Sequence, residues 1–333
     1  MALHAVENVG DAFTVTREFL TPIDLRRWLK LAVVAFFIGG GMGLPSAQFN
    51  TSGSPQQVPA EEIPLSLPAE TATVVAAVVA VAVALGILFT VVGAIMEFVF
   101  IESLRSGTVS IRRYWSERWR QGLRLFGFRI AIGLPLLVIG LGWMALFFLP
   151  LVRGAPDPIA PFGVFFLGLP VLFALGLLYA LVSSFTTVFV VPIMIKNDSG
   201  VLAGWRPLWA SIKAEPKQYL AYAVLGFVLN VAAGLLASVA VGIGALVLLV
   251  PLGLLAALVY ATLSLSSTAG LAALAALVLI FVLAMIVLWA LLQVPVVAYL
   301  RFYALLLLGD IDDSFDLISD RRAALDTSSG AQN

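Results

Sequence analysis

Six long apolar runs constrain this chain more than any other feature. They occupy residues 28–44, 72–96, 125–152, 162–195, 219–261 and 270–300. A helix needs roughly 20 apolar residues to cross a hydrocarbon core of ~30 Å, and all but the first run reach that length. Composition agrees. Hydrophobic residues make up 61% of the chain and charged residues 11%, whereas an ordinary soluble domain carries about 25% charge. There are too few charges to build a soluble surface around 333 residues. The expected fold is an all-α polytopic membrane bundle of about six transmembrane helices, with amphipathic helices on its cytoplasmic side. By segment, 1–27 is an amphipathic cytoplasmic stretch, 28–308 the bundle, and 309–333 an acidic, disordered cytoplasmic tail.

Charge placement orients the bundle. Loop 45–70 is proline-rich, has no basic residue and carries Glu61, Glu62 and Glu70. Loop 103–124 carries Arg105, Arg112, Arg113, Arg118, Arg120 and Arg124, and loop 196–217 carries Lys196, Arg206, Lys213 and Lys217. Lys and Arg accumulate on the cytoplasmic side. The N-terminus and these two basic loops are therefore expected inside, and 45–70 and 153–161 outside. The acidic residues Glu7, Asp11, Glu18 and Asp24 do not fit a cleavable signal. Residues 2–20 place Leu3, Val6, Val9, Phe13, Thr16 and Leu20 at helical spacing, which predicts an amphipathic helix on the membrane surface, stopped by Pro22.

The last third has two solutions. Run 219–261 is on the order of 65 Å long as a helix, too long for one crossing. Gly242, Gly244 and Pro251 offer breaks. One solution is a span at 219–246, a re-entrant or interfacial piece near 250–264 and a last span from about 270, which leaves the C-terminus cytoplasmic. The rival is a further crossing, giving seven spans and an external C-terminus.

The two basic loops align on each other. Ser106–Gly107 on Ser199–Gly200 also aligns Arg113 with Arg206, Arg120 with Lys213, Arg124 with Lys217, and Phe126 with Tyr219. Residues 16–31 resemble both. This predicts three units in the same orientation, each a cytoplasmic amphipathic helix followed by a two-span hairpin.

Several residues are candidates for a functional role. On 110–126, Ile111, Trp115, Trp119, Leu123 and Phe126 recur every three or four residues, with Arg112, Arg113 and Arg120 beside them. Trp205, Arg206, Leu208, Trp209, Ile212 and Lys213 repeat the pattern. Such segments contact lipid headgroups, or anchor helices at the interface by their tryptophans and charge. Ionisable residues within spans are costly and are often functional. Glu97, Glu102, Arg129 and Arg301 form a candidate interfacial charge network, which fixes helix register if the charges pair and serves transport if Glu97 binds a proton or cation. Asn230 is the strongly polar side chain nearest a midplane. The hydroxyls of Ser183, Ser184, Thr186 and Thr187 are expected to glue helices.

Catalysis finds little to work with. There is no cysteine and one histidine, His4, so thiol chemistry, thiolate sites and multi-histidine metal sites are excluded. The chain has no phosphate-binding glycine loop. The aspartates of 309–322 lack the glycine and terminal glutamate of a calcium loop. No cofactor or metal is expected, and no enzyme. Net charge is zero, and nothing calls for a nucleic-acid partner. The expected partners are membrane lipids and other membrane proteins.

Three stretches carry a family resemblance: AVENVGDAFTVTREFLTPIDLRRWLKLAVVAFFIGGG (5–41), VVPIMIKNDSGVLAGWRPLWASIKAEPKQYLAY (190–222) and QVPVVAYLRFYALLLLGDID (293–312). Together they resemble an uncharacterised family of multi-pass membrane proteins of halophilic archaea. More remotely, the layout is similar to the membrane domain attached to some glycerophosphodiester phosphodiesterases, whose catalytic barrel this chain lacks. The resemblance implies a prokaryotic cell membrane and no known activity. The role expected is a non-catalytic scaffold or accessory protein that organises lipid or protein partners. The alternative is a small-solute or ion transporter with a path between the repeat units.

Overall fold

The computed structural model describes residues 4–39, 69–153, 160–263 and 267–330. The described residues are helical almost throughout. In chain order the helices are α1 (His4–Leu20), α2 (Leu25–Ile38), α3 (Ala69–Ser106), α4 (Ile111–Val152) and α5 (Ala160–Phe185). A π-helical turn (Thr186–Val190) joins α5 to α6 (Val191–Asn197), and α7 (Val201–Ala214), α8 (Pro216–Thr262) and α9 (Thr268–Ile311) follow. A 3-10 turn (Asp313–Phe315) then leads to α10 (Ser319–Gly330). Among the described residues, five segments are long and apolar enough to cross a membrane: Thr71–Ser106, Ile111–Pro150, Phe162–Asn197, Pro216–Thr262 and Thr268–Ile311. The sixth expected span, 28–44, is described only as α2 and Gly39. Its remaining glycines lie outside the described residues, as do most of loops 45–70 and 153–161.

Local sequence explains where the helices end. Asp24 caps α2, its side chain accepting from the backbone N–H of Arg26 at 3.1 Å. Gly107 follows α3 at φ 71°, a left-handed conformation in which a side chain is strained. Asp198 closes α6 at φ 45°, one of the few residue types that tolerate it. Amphipathic segments precede apolar helices: α1 comes before the short α2 and the long α3, the first turns of α4 before the rest of α4 and α5, and α7 before α8 and α9. The lead-in is broken from its helix at Pro22 and at Glu215–Pro216, but is continuous in α4.

Two expectations about the last third are corrected. Helix α8 runs unbroken from Pro216 to Thr262 with Pro251 inside it. Within the described 219–262 the helix has no break at which a re-entrant piece or a further crossing would begin. A proline costs a helix one N–H and one carbonyl contact, and membrane helices tolerate that. Gly244 serves close packing: a Cβ there would run into the side chain of Leu288 on α9. The acidic segment also carries apolar residues that pack. Phe315, Leu317 and Ile318 are buried, and their burial holds the segment that carries the aspartates.

The chain divides into two compact units. One comprises Met1–Asp11, Ser116–Tyr222 and Arg301–Asn333. In it α4 and α5 pair as antiparallel helices. Trp143 stacks on Phe165 with ring centroids 4.9 Å apart, and its Nε1 donates to the Val164 carbonyl at 3.2 Å. Gly168 makes room for that indole. A chain of rings runs from Phe185 through Phe189 and Tyr222 to Tyr303. Arg322 of α10 lies 3.4 Å from carboxylate oxygens of Asp310 and Asp316 and donates to the Leu306 carbonyl at 2.9 Å. Lys196 donates to the Asp316 carbonyl at 3.0 Å, and Asn8 to Asp310 at 2.6 Å.

The other unit comprises Ala12–Trp115 and Ala223–Leu300. Helices α2 and α3 meet through Phe36, Phe37 and Phe89. Gly93 lets them approach: a Cβ there would lie 2.8 Å from the Phe37 carbonyl oxygen. Helix α1 turns Ala12, Val15, Thr16 and Phe19 inward. Phe13, expected on the apolar face, is 64% exposed. Of the residues read at helical spacing, Thr16 and Leu20 are buried and Val6 and Phe13 are exposed, and Leu3 lies outside the described residues.

Burial along the spans is uneven. In α3, Ala94–Leu104 are buried while 71–88 are all exposed. In α9, Arg301–Leu308 are buried while most of 271–287 is exposed. The most apolar window of every candidate span is 0% buried. Exposed apolar surface on this scale far exceeds what a soluble monomer shows, and it is the surface that lipid covers.

Candidate functional site

In the first unit, polar side chains gather where α4, α7 and the π-helical turn meet. The turn arises at Pro192. A proline at that position supplies no N–H and displaces the carbonyl four residues back, so the ladder widens by one residue. The Val191 N–H accordingly bonds to the Thr186 carbonyl. Two threonines in this turn bond both along and across helices. The Thr186 hydroxyl donates to the Val182 carbonyl at 2.6 Å and accepts from Trp205 Nε1 on α7 at 3.1 Å. The Thr187 hydroxyl donates to the Ser183 carbonyl at 2.8 Å and accepts from Arg129 Nη2 on α4 at 3.0 Å. Both hydroxyls act as acceptor and donor at once, which is how a polar group is carried at membrane depth. The expected gluing by threonine is what the geometry shows.

Beside this turn, Gln121 on α4 is buried. Its Nε2 donates to the Met194 carbonyl at 3.1 Å and to Asp198 Oδ1 at 2.9 Å. Arg118 Nη1 lies 3.5 Å from the same Asp198 oxygen. The sequence reading passed over Gln121 and the Thr–Trp bond. The signal for Gln121 was its spacing: Tyr114, Gln121 and Leu125 recur at seven and four residues and are all buried.

The basic–aromatic segments face outward. Trp119 is 42% exposed and Trp209 is 54% exposed, with Leu123, Leu202 and Leu220 exposed as well. Arg120 lies 5.5 Å over the Trp119 ring, Lys213 Nζ lies 5.7 Å over the Trp209 ring, and Arg113 lies 5.7 Å over the Tyr114 ring. Arg112 and Arg206 are exposed, and Trp115 and Trp205 are half-buried. The stripe read from Trp115, Trp119 and Leu123 is thus largely the face left open, and the protein packs the next face round.

The candidate charge network is divided between the units. Glu97 and Glu102 belong to the second unit and are 2% and 7% exposed. Glu102 lies 3.8 Å from Arg105. Arg129 and Arg301 belong to the first unit, the former half-buried and bonded to Thr187, the latter buried. Asn230 faces outward from α8, and its amide donates to the Gly226 carbonyl of its own helix at 2.9 Å.

Between α4 and α5 lies an apolar groove of about 270 Å³. Ile132, Leu136 and Ile139 line one wall, and Leu175, Tyr179 and Val182 the other. Among the described residues, no group of three or more His, Asp or Glu is placed to hold a metal ion.

The chain belongs to a family of unknown function, DUF7544, which it matches over residues 3–318. No curated protein and no solved structure matches it.

Proposed function

We propose that this member of the family is a non-catalytic membrane scaffold whose basic–aromatic segments gather anionic lipid headgroups and, through them, other membrane proteins. The observation that carries this reading is the pairing of a cation with each outward tryptophan, Arg120 with Trp119 and Lys213 with Trp209. An indole beside an ammonium or guanidinium places an apolar body at the acyl boundary and a charge at the phosphate level. The exposed Arg112, Arg113 and Arg206 add to that charge. In this reading the basic ends of the helices, with both termini, lie on the cytoplasmic face of the cell membrane. The likeness of three stretches to membrane proteins of halophilic archaea, and of the layout to the membrane domain of glycerophosphodiester phosphodiesterases, belongs to the same proposal.

The transporter alternative calls for a polar path beside Asn230. That amide donates to the Gly226 carbonyl of its own helix, which favours the scaffold.

The test is the thermal stability of the full chain in nanodiscs with and without anionic phospholipid. Wild type is expected to gain stability from anionic lipid. A variant carrying glutamine at Arg112, Arg113, Arg120, Arg206 and Lys213 is expected to lose most of that gain. Equal gains in both proteins would refute the proposal.

A further inference from the structure

We propose that α4 carries a site for one phosphomonoester lipid, its doubly charged phosphate between Arg120 and Arg124 and its chains along Trp119, Leu123 and Ile130. The inference rests on the lipid-gathering reading and narrows it to one headgroup class and one pair of arginines.

Helical spacing sets up the site. Arg120 and Arg124 stand four residues apart on α4, and both are exposed. Residues so spaced share a face, with Cβ atoms about 5–6 Å apart, so two guanidiniums can close on a single phosphate. Trp119 and Leu123 form the neighbouring row with the same spacing, and Ile130 and Leu134 continue it further along the helix. All four are exposed. Gly127 lies between the two rows, and a Cβ there would meet nothing within 4 Å. The surface is therefore open where a glycerol backbone passes from the arginines to the apolar row. From Arg124 to Ile130 the helix rises about 9 Å. Along its length α4 thus presents charge, then a notch, then an apolar surface, which is the order of a lipid from headgroup inward.

The charges select a dianion. Arg118 is turned to Asp198 and Gln121, and Arg129 bonds to Thr187. Glu117, one turn before Arg120, is already engaged. Among the described residues, neither Arg120 nor Arg124 pairs with a carboxylate. Arg120 lies over the Trp119 ring, a contact of the guanidinium that leaves its in-plane N–H donors for an acceptor. A phosphodiester brings one negative charge to these two cations. A phosphomonoester brings about −1.5 to −2 near pH 7 and three acceptor oxygens, enough to engage both guanidiniums at once. The pair has no counterpart on α7. Four residues after Arg206 stands Ala210, and Lys213 is followed at that spacing by Lys217, beyond the break at Glu215.

The experiment takes the purified, delipidated full chain in detergent. It is titrated with phosphatidic acid, phosphatidylglycerol and phosphatidylcholine of the same acyl chains, and with inorganic phosphate, read by native mass spectrometry and thermal shift. At a pH of about 7.5, wild type is expected to retain one phosphatidic acid about tenfold more tightly than phosphatidylglycerol, the size of one further hydrogen bond between charged groups. At a pH of about 5, below the second pKa of a phosphomonoester, that preference should shrink towards parity. Arg120→Gln and Arg124→Gln should each remove most of the preference, and Arg124→Lys should keep part of it. The variant with glutamine at Arg112, Arg113, Arg206 and Lys213 should keep it in full. The pH comparison uses the wild-type protein, so the test stands if an arginine variant fails to fold. Equal retention of the two anionic lipids at the higher pH, both above phosphatidylcholine, overturns this site while sparing the broader reading. Equal retention of all three lipids overturns both. A preference lost only in the fourfold variant moves the phosphate away from Arg120 and Arg124 and overturns the site. An equal thermal shift with inorganic phosphate alone reduces it to an anion contact and overturns the proposal.

Discussion

Trp205 on α7 donates from Nε1 to the Thr186 hydroxyl at 3.1 Å, at the first residue of the π-helical turn. One bond thus ties a helix at the basic end to the point where the α5–α6 run changes its pitch. Trp205→Phe keeps most of the ring and removes the donor. It should cost about 1 kcal/mol, measured as a fall in Tm in detergent. The double variant with Thr186→Val should cost less than the sum of the two single variants. Strict additivity would show that the bond contributes nothing.

Gly93 and Gly86 both lie on α3 and make opposite predictions. A Cβ at Gly93 would lie 2.8 Å from the Phe37 carbonyl, whereas one at Gly86 would meet nothing within 4 Å. Gly93→Ala should destabilise by about 1–3 kcal/mol through overpacking. Gly86→Ala should be neutral or mildly stabilising, because alanine is the better helix former. Equal Tm values for the two variants would contradict the α2–α3 contact described here.

Arg322 gathers Asp310 and Asp316 and also reaches the Leu306 carbonyl. Arg322→Gln should loosen residues 309–322 and speed their cleavage in limited proteolysis, with the spans left intact. An unchanged cleavage rate would mean that burial of Phe315, Leu317 and Ile318 alone holds the segment.

Trp209 is more exposed than the half-buried Trp205. In proteins retaining one tryptophan each, lipid brominated near the headgroup should quench Trp209 more strongly than Trp205. The reverse order would place α7 away from the bilayer.

The membrane class and the helical fold were legible because they depend on run length and charge, which no tertiary contact can undo. The tryptophan-bearing segments were legible for the same reason: Trp119 and Trp209 stay at the surface, where local pattern decides. Where helices pack on one another, the reading failed in identifiable ways. Helix α1 buries Ala12, Val15 and Phe19 and leaves Phe13 exposed, a choice among apolar side chains that spacing alone does not make. Gly242, Gly244 and Pro251 read as breaks, yet α8 continues through them, and Gly244 is the place where Leu288 of α9 packs. The segment 309–322 read as solvated because aspartates dominate it, and the buried Phe315, Leu317 and Ile318 among them outweighed that count. Gln121 was invisible among arginines until its partners, Met194 and Asp198, were known.

The central claim is that acyl chains, not water, cover the exposed apolar lengths of α3, α4, α5, α8 and α9. Alkaline carbonate extraction of membranes from expressing cells, followed by ultracentrifugation, tests it most directly. The account predicts that the protein stays in the pellet and is released only by detergent. Recovery of folded, monodisperse protein in the carbonate supernatant would contradict it.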